Sequence, residues 1–331
     1  MTQTKERWFA IVNPVAGNGK GLTDWPHISK LLRDHHIAFD FVFTEKKFHA
    51  IELAVEAIAG GYRKIIVVGG DGTIHEVVNG IMIQKDVPSQ EILLAVIAVG
   101  TGNDWIRMFG IPRKYSDAIR AIVDGHSFLQ DIAHVSYYKS NFPQQRYMAN
   151  VAGLGFDASV NKYYNRLKDE GRRGNWIYKW GMFKVILGFK TTRMKVTIDD
   201  HVVADQPIFS STIGIGKYNG GGMMQMPNAV ADDGLLDVTL IRKMSKLRVL
   251  SNFMSLYNGK IYNIPKITHH RGRKILVESY PESAIEVDGE ALGYSPFEFE
   301  VIDRAVKVVV SQKFLEEDLK SKVEQLKSDD K

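Results

Sequence analysis

The sequence predicts an α/β chain of two domains: a parallel sheet wound by helices over residues 1–132, then a β-sandwich over residues 133–310, with a charged helical tail at 311–331. Three observations carry this. The chain has 331 residues, enough for two separate hydrophobic cores. As far as about Leu129, strand-like runs alternate with helical patterns, and glycine turns follow three of the strands. From Ile132 onward the strong signals are short β-rich segments. Composition agrees, with 44% hydrophobic and 24% charged residues, as in soluble globular proteins. The longest purely apolar run, Ile92 to Val99, is far short of the ~20 residues that span a bilayer. The polar start, Met1 to Arg7, leads straight into a strand, so no signal peptide is expected. The absence of cysteine excludes disulfides, thiol catalysis and thiolate-bound zinc, and fits a cytoplasmic setting. A net charge of +5 points weakly to an anionic partner.

Taken in order, Trp8 to Val12 reads as a buried strand, followed by a glycine-rich turn with one cation, Asn13 to Gly21. It is not a Walker A loop, because Pro14 stands where the first glycine belongs and Gly21 where the hydroxyl belongs, yet it can still bind phosphate. A helix from about Thr23 to His35, a strand from Ala38 to Thr44 and a helix from about Ala50 to Ala59 come next. Ile65 to Val68 is a β-branched run suited to a buried parallel strand, and Gly69-Gly70-Asp71-Gly72-Thr73 then opens a helix. Thr73 and Glu76 have capping-box spacing, so the helix is expected to begin at Thr73 with its amides directed into the glycine turn, where a phosphate would be favoured. Asp71 would stand beside that phosphate, which requires either a divalent cation between them or neighbouring donors to hold the carboxylate. A plain strand-turn-helix unit remains the alternative. Leu93 to Val99 is another buried strand, closed by Gly100-Thr101-Gly102-Asn103-Asp104, and Ser116 to Asp124 is helical. The Rossmann fingerprint is absent, since His75 and Trp105 stand where its third glycine would be.

In the second half, strands are expected at Met194 to Ile198, Ile208 to Ile215, Leu236 to Ile241, Lys274 to Val277, Ala284 to Val287, Phe297 to Val301 and Ala305 to Val310, with helices near Ile177 to Leu187 and Lys246 to Tyr257. Two turns carry carboxylates. Asp232-Asp233-Gly234-Leu235-Leu236-Asp237 suits either a hard cation or a plain Asp-Gly turn. Asp288-Gly289-Glu290 reads as a hairpin turn with an exposed carboxylate that could serve as a proton acceptor. Two stretches are strongly basic. Residues 162–184 carry seven lysines and arginines against two acids, with Trp176, Tyr178, Trp180 and Phe183 among them; residues 242–274 carry nine and no acid. Such stretches fit an anionic membrane, a nucleic acid backbone or an ordinary solvated surface. Leu315, Leu319, Val323 and Leu326 form one stripe on the tail, which reads as a solvated helix, with a homodimer contact as the alternative.

Taken together, these motifs resemble the diacylglycerol kinase catalytic-domain family, which includes soluble bacterial lipid kinases and the sphingosine kinases. The resemblance rests on Asn13-Pro14 with its glycine turn, Thr44 followed by His49-Ala50, Gly69-Gly70-Asp71-Gly72-Thr73, Gly100-Thr101-Gly102-Asn103-Asp104 and Gly153-Leu154-Gly155-Phe156-Asp157. It continues through Gly220-Gly221-Gly222-Met223, the Asp232 to Asp237 turn and Asp288-Gly289-Glu290. It implies a phosphofructokinase/NAD-kinase-like nucleotide-binding domain followed by a β-sandwich lipid-acceptor domain, in a magnesium-dependent enzyme that moves the γ-phosphoryl group of ATP to a lipid hydroxyl. The acceptor would be diacylglycerol or a related lipid alcohol such as a sphingoid base. By the same resemblance ATP would be contacted by Asn13, Pro14, Val15, Ala16, Gly17, Thr44, Gly69, Gly70, Gly72, Thr73, Glu76 and Thr101. Asp71 would organise the catalytic magnesium, and Glu290 would be the general base. A structural magnesium would lie on Asp233 and the carbonyls of Val230 and Leu235. The final strand would be able to return to the first domain. The resemblance also assigns the basic stretches to a membrane surface, through residues such as Arg172, Arg173, Lys179 and Lys184, in a cytoplasmic protein peripherally bound to the membrane, with no nucleic acid partner. The competing readings are an NAD kinase acting on a soluble hydroxyl and a non-catalytic nucleotide- or lipid-binding protein.

Overall fold

A computed structural model describes residues 4–100, 102–170, 185–186 and 188–329. The chain forms two compact units, Met1–Gln130 with Arg304–Lys331, and Asp131–Asp303.

Unit 1 runs β1 (Trp8–Val12), α1 (Ala16–Asp34), β2 (Phe39–Phe43), α2 (His49–Ala59), β3 (Lys64–Gly69), α3 (Asp71–Ile83), β4 (Leu93–Ala98), α4 (Asp104–Met108) and α5 (Tyr115–Asp124). The strands are parallel in the order β2-β1-β3-β4, and the end of the last strand in the chain, Glu290–Val309, adds a fifth through Lys307 and Val308 beside Leu93 and Leu94. Both faces of β1, β3 and β4 are covered, which is why these strands read as apolar runs. Ala10, Val12, Ile66, Val68, Ala95 and Ile97 pack with Trp25, Ile28 and Leu32 of α1 and with Ile119 and Ile122 of α5. On α3, a Cβ at Gly80 would lie 2.6 Å from the Cβ of Ala54 and 2.7 Å from the carbonyl oxygen of Ile51, so a glycine is what lets α2 and α3 approach. The start of α1 is irregular: Gly17, Asn18 and Gly19 all have positive φ (59°, 62° and 91°), and the regular helix follows them.

Unit 2 contains most of β5 (Ser127–Lys139), then β6 (Phe142–Met148), β7 (Val151–Gly155), α6 (Phe156–Asp169), β8 (Thr192–Ile198), β9 (His201–Gly214), the small hairpin of β10 (Tyr218–Asn219) and β11 (Met223–Met224), β12 (Leu236–Arg242), β13 (Ile267–Gly272), β14 (Lys274–Tyr280), β15 (Ala284–Val287) and the first part of β16 (Glu290–Val309). It is sandwich-like. One layer follows β13-β12-β9-β7-β15-β16, and the other joins β9 to β16 through β8 and β14. Two long strands therefore serve both layers. The first half of β9 pairs with β8 and its second half with β7 and β12; β16 pairs first with β15 and then with β14.

Several expectations change. Phe297 to Val301 and Ala305 to Val309 belong to one strand, which continues through Arg304 although the backbone there has positive φ (46°). The compact second unit ends at Asp303, and the strand beyond it pairs with β4 in the first unit through Lys307 and Val308. The segment Lys246 to Tyr257 divides into a helix, Lys246–Ser251, and a 3₁₀ turn, Phe253–Leu256. Most of the helix expected near Ile177 lies outside the described residues. The C-terminal helix, Gln312–Asp329, is anchored at its start, where the Phe314 ring lies 5.4 Å from that of Phe109 and 5.1 Å from that of Phe128.

Candidate active site

In unit 1 the registers Val12 with Phe43, Val12 with Val68 and Gly69 with Ala98 bring Asn13, Thr44, Gly70 and Val99 to one sheet edge, at the carboxyl ends of four strands. The strand order reverses between β1 and β3, the position where open α/β sheets bind ligands. Asn13 ties the first two motifs together: its Nδ2 donates to Thr73 Oγ1 at 2.9 Å, and its Oδ1 accepts from the Val15 amide at 3.1 Å. A Cβ at Gly17 would fall 2.0 Å from the Val99 carbonyl oxygen, so this turn rests on the end of β4. The turns after β3 and β4 also meet, since a Cβ on Gly100 would lie 2.9 Å from the Cα of Gly70. Of the residues expected to contact ATP, Asn13, Pro14, Val15, Ala16, Gly17, Thr44, Gly69, Gly70, Gly72 and Thr73 belong to these turns and strand ends. Thr101 lies outside the described residues.

Asp71 opens α3, two residues earlier than the capping pattern predicts. Its Oδ1 accepts from the Trp105 amide at 3.1 Å and its Oδ2 from the Asp104 amide at 3.2 Å, so the carboxylate is fixed to the turn after β4. Gly102 lies alongside, where a Cβ would be 3.2 Å from Oδ2. A carboxylate held by two amides at a helix start, with a glycine as its neighbour, fits a hard divalent cation. Glu76 does not close a capping box with Thr73. It reaches instead to the start of α2, where its two oxygens accept from the amides of Phe48 (3.0 Å) and Ala50 (3.1 Å). These bonds make Glu76 a cap on a neighbouring helix.

In unit 2, Asp288 and Gly289 form the two-residue turn between β15 and β16, both with positive φ (49° and 87°), as the Asp-Gly pair predicts. The Asp288 carboxylate faces inward and accepts three amides, from Ala149 (2.8 Å), Asn150 (2.9 Å) and Val151 (2.9 Å). Glu290, half-buried, is the next side chain along. Beneath the turn, a Cβ on Gly153 would lie 2.7 Å from the Cβ of Asp157 and 2.8 Å from Glu286 Oε1. Two carboxylates thus flank one glycine. Burial, then the charges of Asp157 and Asp288, push Glu286 up to about 8; burial likewise raises Asp157, against hydrogen bonds from Ser210, Thr212 and Gln225. The sequence reading quoted Asp157 without assigning it a role and passed over Glu286, Asn161 and Arg271. The only available signal was the glycine spacing of the Gly153 to Asp157 motif.

The Asp233 turn departs from expectation. Asp233 Oδ2 is paired with the Arg271 guanidinium, and its Oδ1 accepts from the Leu235 amide at 3.1 Å. Arg271 also faces the fully buried Asp237, which His269 Nε2 approaches at 2.5 Å, while Arg273 donates to the Gly234 carbonyl at 3.1 Å. Positive charge beside Asp233 is thus supplied by the Arg271 side chain, in the place where a cation on Val230, Asp233 and Leu235 was expected. Arg172, Arg173, Lys179 and Lys184 lie outside the described residues.

Comparison with known proteins agrees with both halves. Residues 7–135 match the diacylglycerol kinase catalytic domain, and residues 150–310 match the YegS C-terminal NAD kinase beta sandwich-like domain. A diacylglycerol kinase of Staphylococcus aureus (strain MRSA252) is 28% identical over 316 residues, covering 95% of this chain and 96% of that protein. One from Mycobacterium tuberculosis (strain ATCC 25618 / H37Rv) is 26% identical over 303 residues, covering 91% and 94%. The crystal structure of a diacylglycerol kinase from Bacillus anthracis str. Sterne superposes with a TM-score of 0.69 at 23% identity, over 93% of this chain and 98% of that one, and shows the same fold. With the glycine turns around Asp71 in the first matched domain and the Asp288-Gly289-Glu290 hairpin in the second, the chain belongs to the diacylglycerol kinase catalytic-domain family of lipid kinases.

Proposed function

We propose that this enzyme transfers the γ-phosphoryl group of ATP to the hydroxyl of a lipid, with diacylglycerol as the acceptor and phosphatidic acid as the product. The observation that carries the reading is Asp71, fixed by two amides among the glycine turns at the switch point of a parallel sheet. Phosphoryl transfer needs an in-line hydroxyl, neutralisation of phosphate charge and a group to receive the proton. The turns after β1, β3 and β4 offer backbone close to phosphate, with α3 adding the positive end of its dipole. Asp71 would hold magnesium, which when bound neutralises charge on the phosphates. Glu290 would take the proton of the lipid hydroxyl.

An anionic membrane surface is the proposed setting, and the described part of the basic surface supports it. Residues 242–274 hold no acid, and within them Leu247 and Met254 are 80% and 69% exposed, a pairing of cations with apolar side chains that suits lipid headgroups. No helix among the described residues is long and apolar enough to cross a membrane.

The test is incubation of the purified protein with labelled ATP, magnesium and a total lipid extract, with products identified by mass spectrometry. Phosphatidic acid as the labelled product is the expected result. Label in another lipid alcohol would move the acceptor; label in NAD with none in lipid would overturn the reading.

A further inference from the structure

We propose that Asn161 and Glu286 are positioning residues for Glu290, acting by locking both sides of the Gly289 backbone. The inference rests on the reading of Glu290 as proton acceptor. Asn161 lies on α6, far from the turn in sequence, and its Nδ2 donates two hydrogen bonds, to Glu286 Oε2 and to the Gly289 carbonyl, both at 2.9 Å. The Gly289 amide closes the triangle by donating to the same Glu286 oxygen at 3.1 Å. The Gly289 carbonyl belongs to the peptide that carries the Glu290 amide, so the lock acts on the residue that presents the base. Gly289 has no Cβ and nothing would touch one, so packing does not hold this position. Asp288, with its three amides, fixes the other end of the turn. A general base gains its rate effect only when held within hydrogen-bond reach of the proton, and a glycine beside it is the link through which that geometry is lost.

The chemistry of Glu286 fits this role. Two carboxyls face it, Asp157 from α6 and Asp288 from its own turn; the Asn161 and Gly289 N–H groups oppose them, and Ser210 and Thr212 of β9 donate to Asp157. Pushed up to about 8, Glu286 holds its proton at neutral pH.

The test compares Asn161→Ala, Glu286→Ala, Glu286→Gln and Glu290→Gln in the lipid kinase assay, with hydrogen exchange at the Gly289 and Glu290 amides read by mass spectrometry. Asn161→Ala and Glu286→Ala are expected to lower kcat by about tenfold to a hundredfold with little change in the KM for ATP, and to speed exchange at the turn. Glu286→Gln, which keeps the shape of the protonated acid and an acceptor oxygen for Asn161 and Gly289, is expected to recover most of that rate at pH 7. Parental kcat and exchange in Asn161→Ala and Glu286→Ala, beside a slow Glu290→Gln, would overturn the lock and leave the base standing. A fast Glu290→Gln would remove the base and the lock with it. A Glu286→Gln variant as slow as Glu286→Ala would exclude the acceptor role of Glu286.

Discussion

Each unit sets an aspartate at a glycine turn and satisfies it with amides from a neighbouring turn, two for Asp71 and three for Asp288, yet the two carboxylates serve different ends. Asp71 sits at the start of α3 among turns that meet backbone to backbone, so the carboxylate proposed to act is itself the one that is fixed. Asp288 points inward and is a strut; the side chain it presents is the next carboxylate, Glu290. The comparison teaches that an Asp-Gly motif does not declare its role. On the proposed reading, the carboxylate itself would act in the first unit and its neighbour Glu290 in the second.

That contrast can be broken experimentally. Asp71→Asn is expected to produce the largest effect, a loss of about 10³ in kcat, in the range reported for removing a preorganised electrostatic group. Its melting temperature should barely move, because an asparagine still accepts one of the two amides. Calorimetry and turnover on the same preparation check both halves, and near-parental turnover would remove Asp71 from the chemistry. Asp288→Ala should behave oppositely and lower stability by about 3 kcal/mol, because three amides lose a charged acceptor. Denaturant titration measures this, and an unchanged midpoint would show that the amides find other partners.

Smaller effects sharpen the picture. Glu76→Ala removes the cap on α2 and is expected to cost about 1 kcal/mol with no change in the KM for ATP. A KM that rises while stability holds would return Glu76 to the nucleotide. At the Asp233 turn, added magnesium should leave the melting temperature of the parent unmoved, whereas a structural cation at 100 times its Kd would add ~2.7 kcal/mol. Arg271→Met should destabilise the turn by exposing Asp233 and the buried Asp237 to each other. A melting temperature that climbs with magnesium in the parent would restore the metal.

Much of unit 1 was legible because its information is local. β-Branched runs mark buried strands, and glycine turns mark strand ends, so the positions of Asn13, Gly70 and Asp71 at the ends of β1 and β3 follow from the sequence. Glu76 was misread because its partners, Phe48 and Ala50, lie in an earlier helix; the local spacing to Thr73 was real but lost to a tertiary cap. Unit 2 was harder to read. β6, Phe-Pro-Gln-Gln-Arg-Tyr-Met, is mostly exposed and lacks an apolar face, and β7, Val-Ala-Gly-Leu-Gly, is glycine-rich, so neither looks like a strand. Arg271 at Asp233 and Asn161 at Glu286 are pairings between distant segments, which no spacing rule reports.

The last strand also governs how the protein is made. Lys307 and Val308 complete the sheet of unit 1 beside Leu93 and Leu94, more than two hundred residues earlier in the chain. During synthesis β4 therefore emerges long before its partner, and one edge of an apolar sheet waits while the whole of unit 2 is translated. Such an edge is a template for unwanted strand pairing. Synthesis of β16, not completion of the first 130 residues, is the moment at which the sheet of unit 1 can close. A chain truncated before β16 ends should aggregate through unit 1, even though every motif of that unit is present.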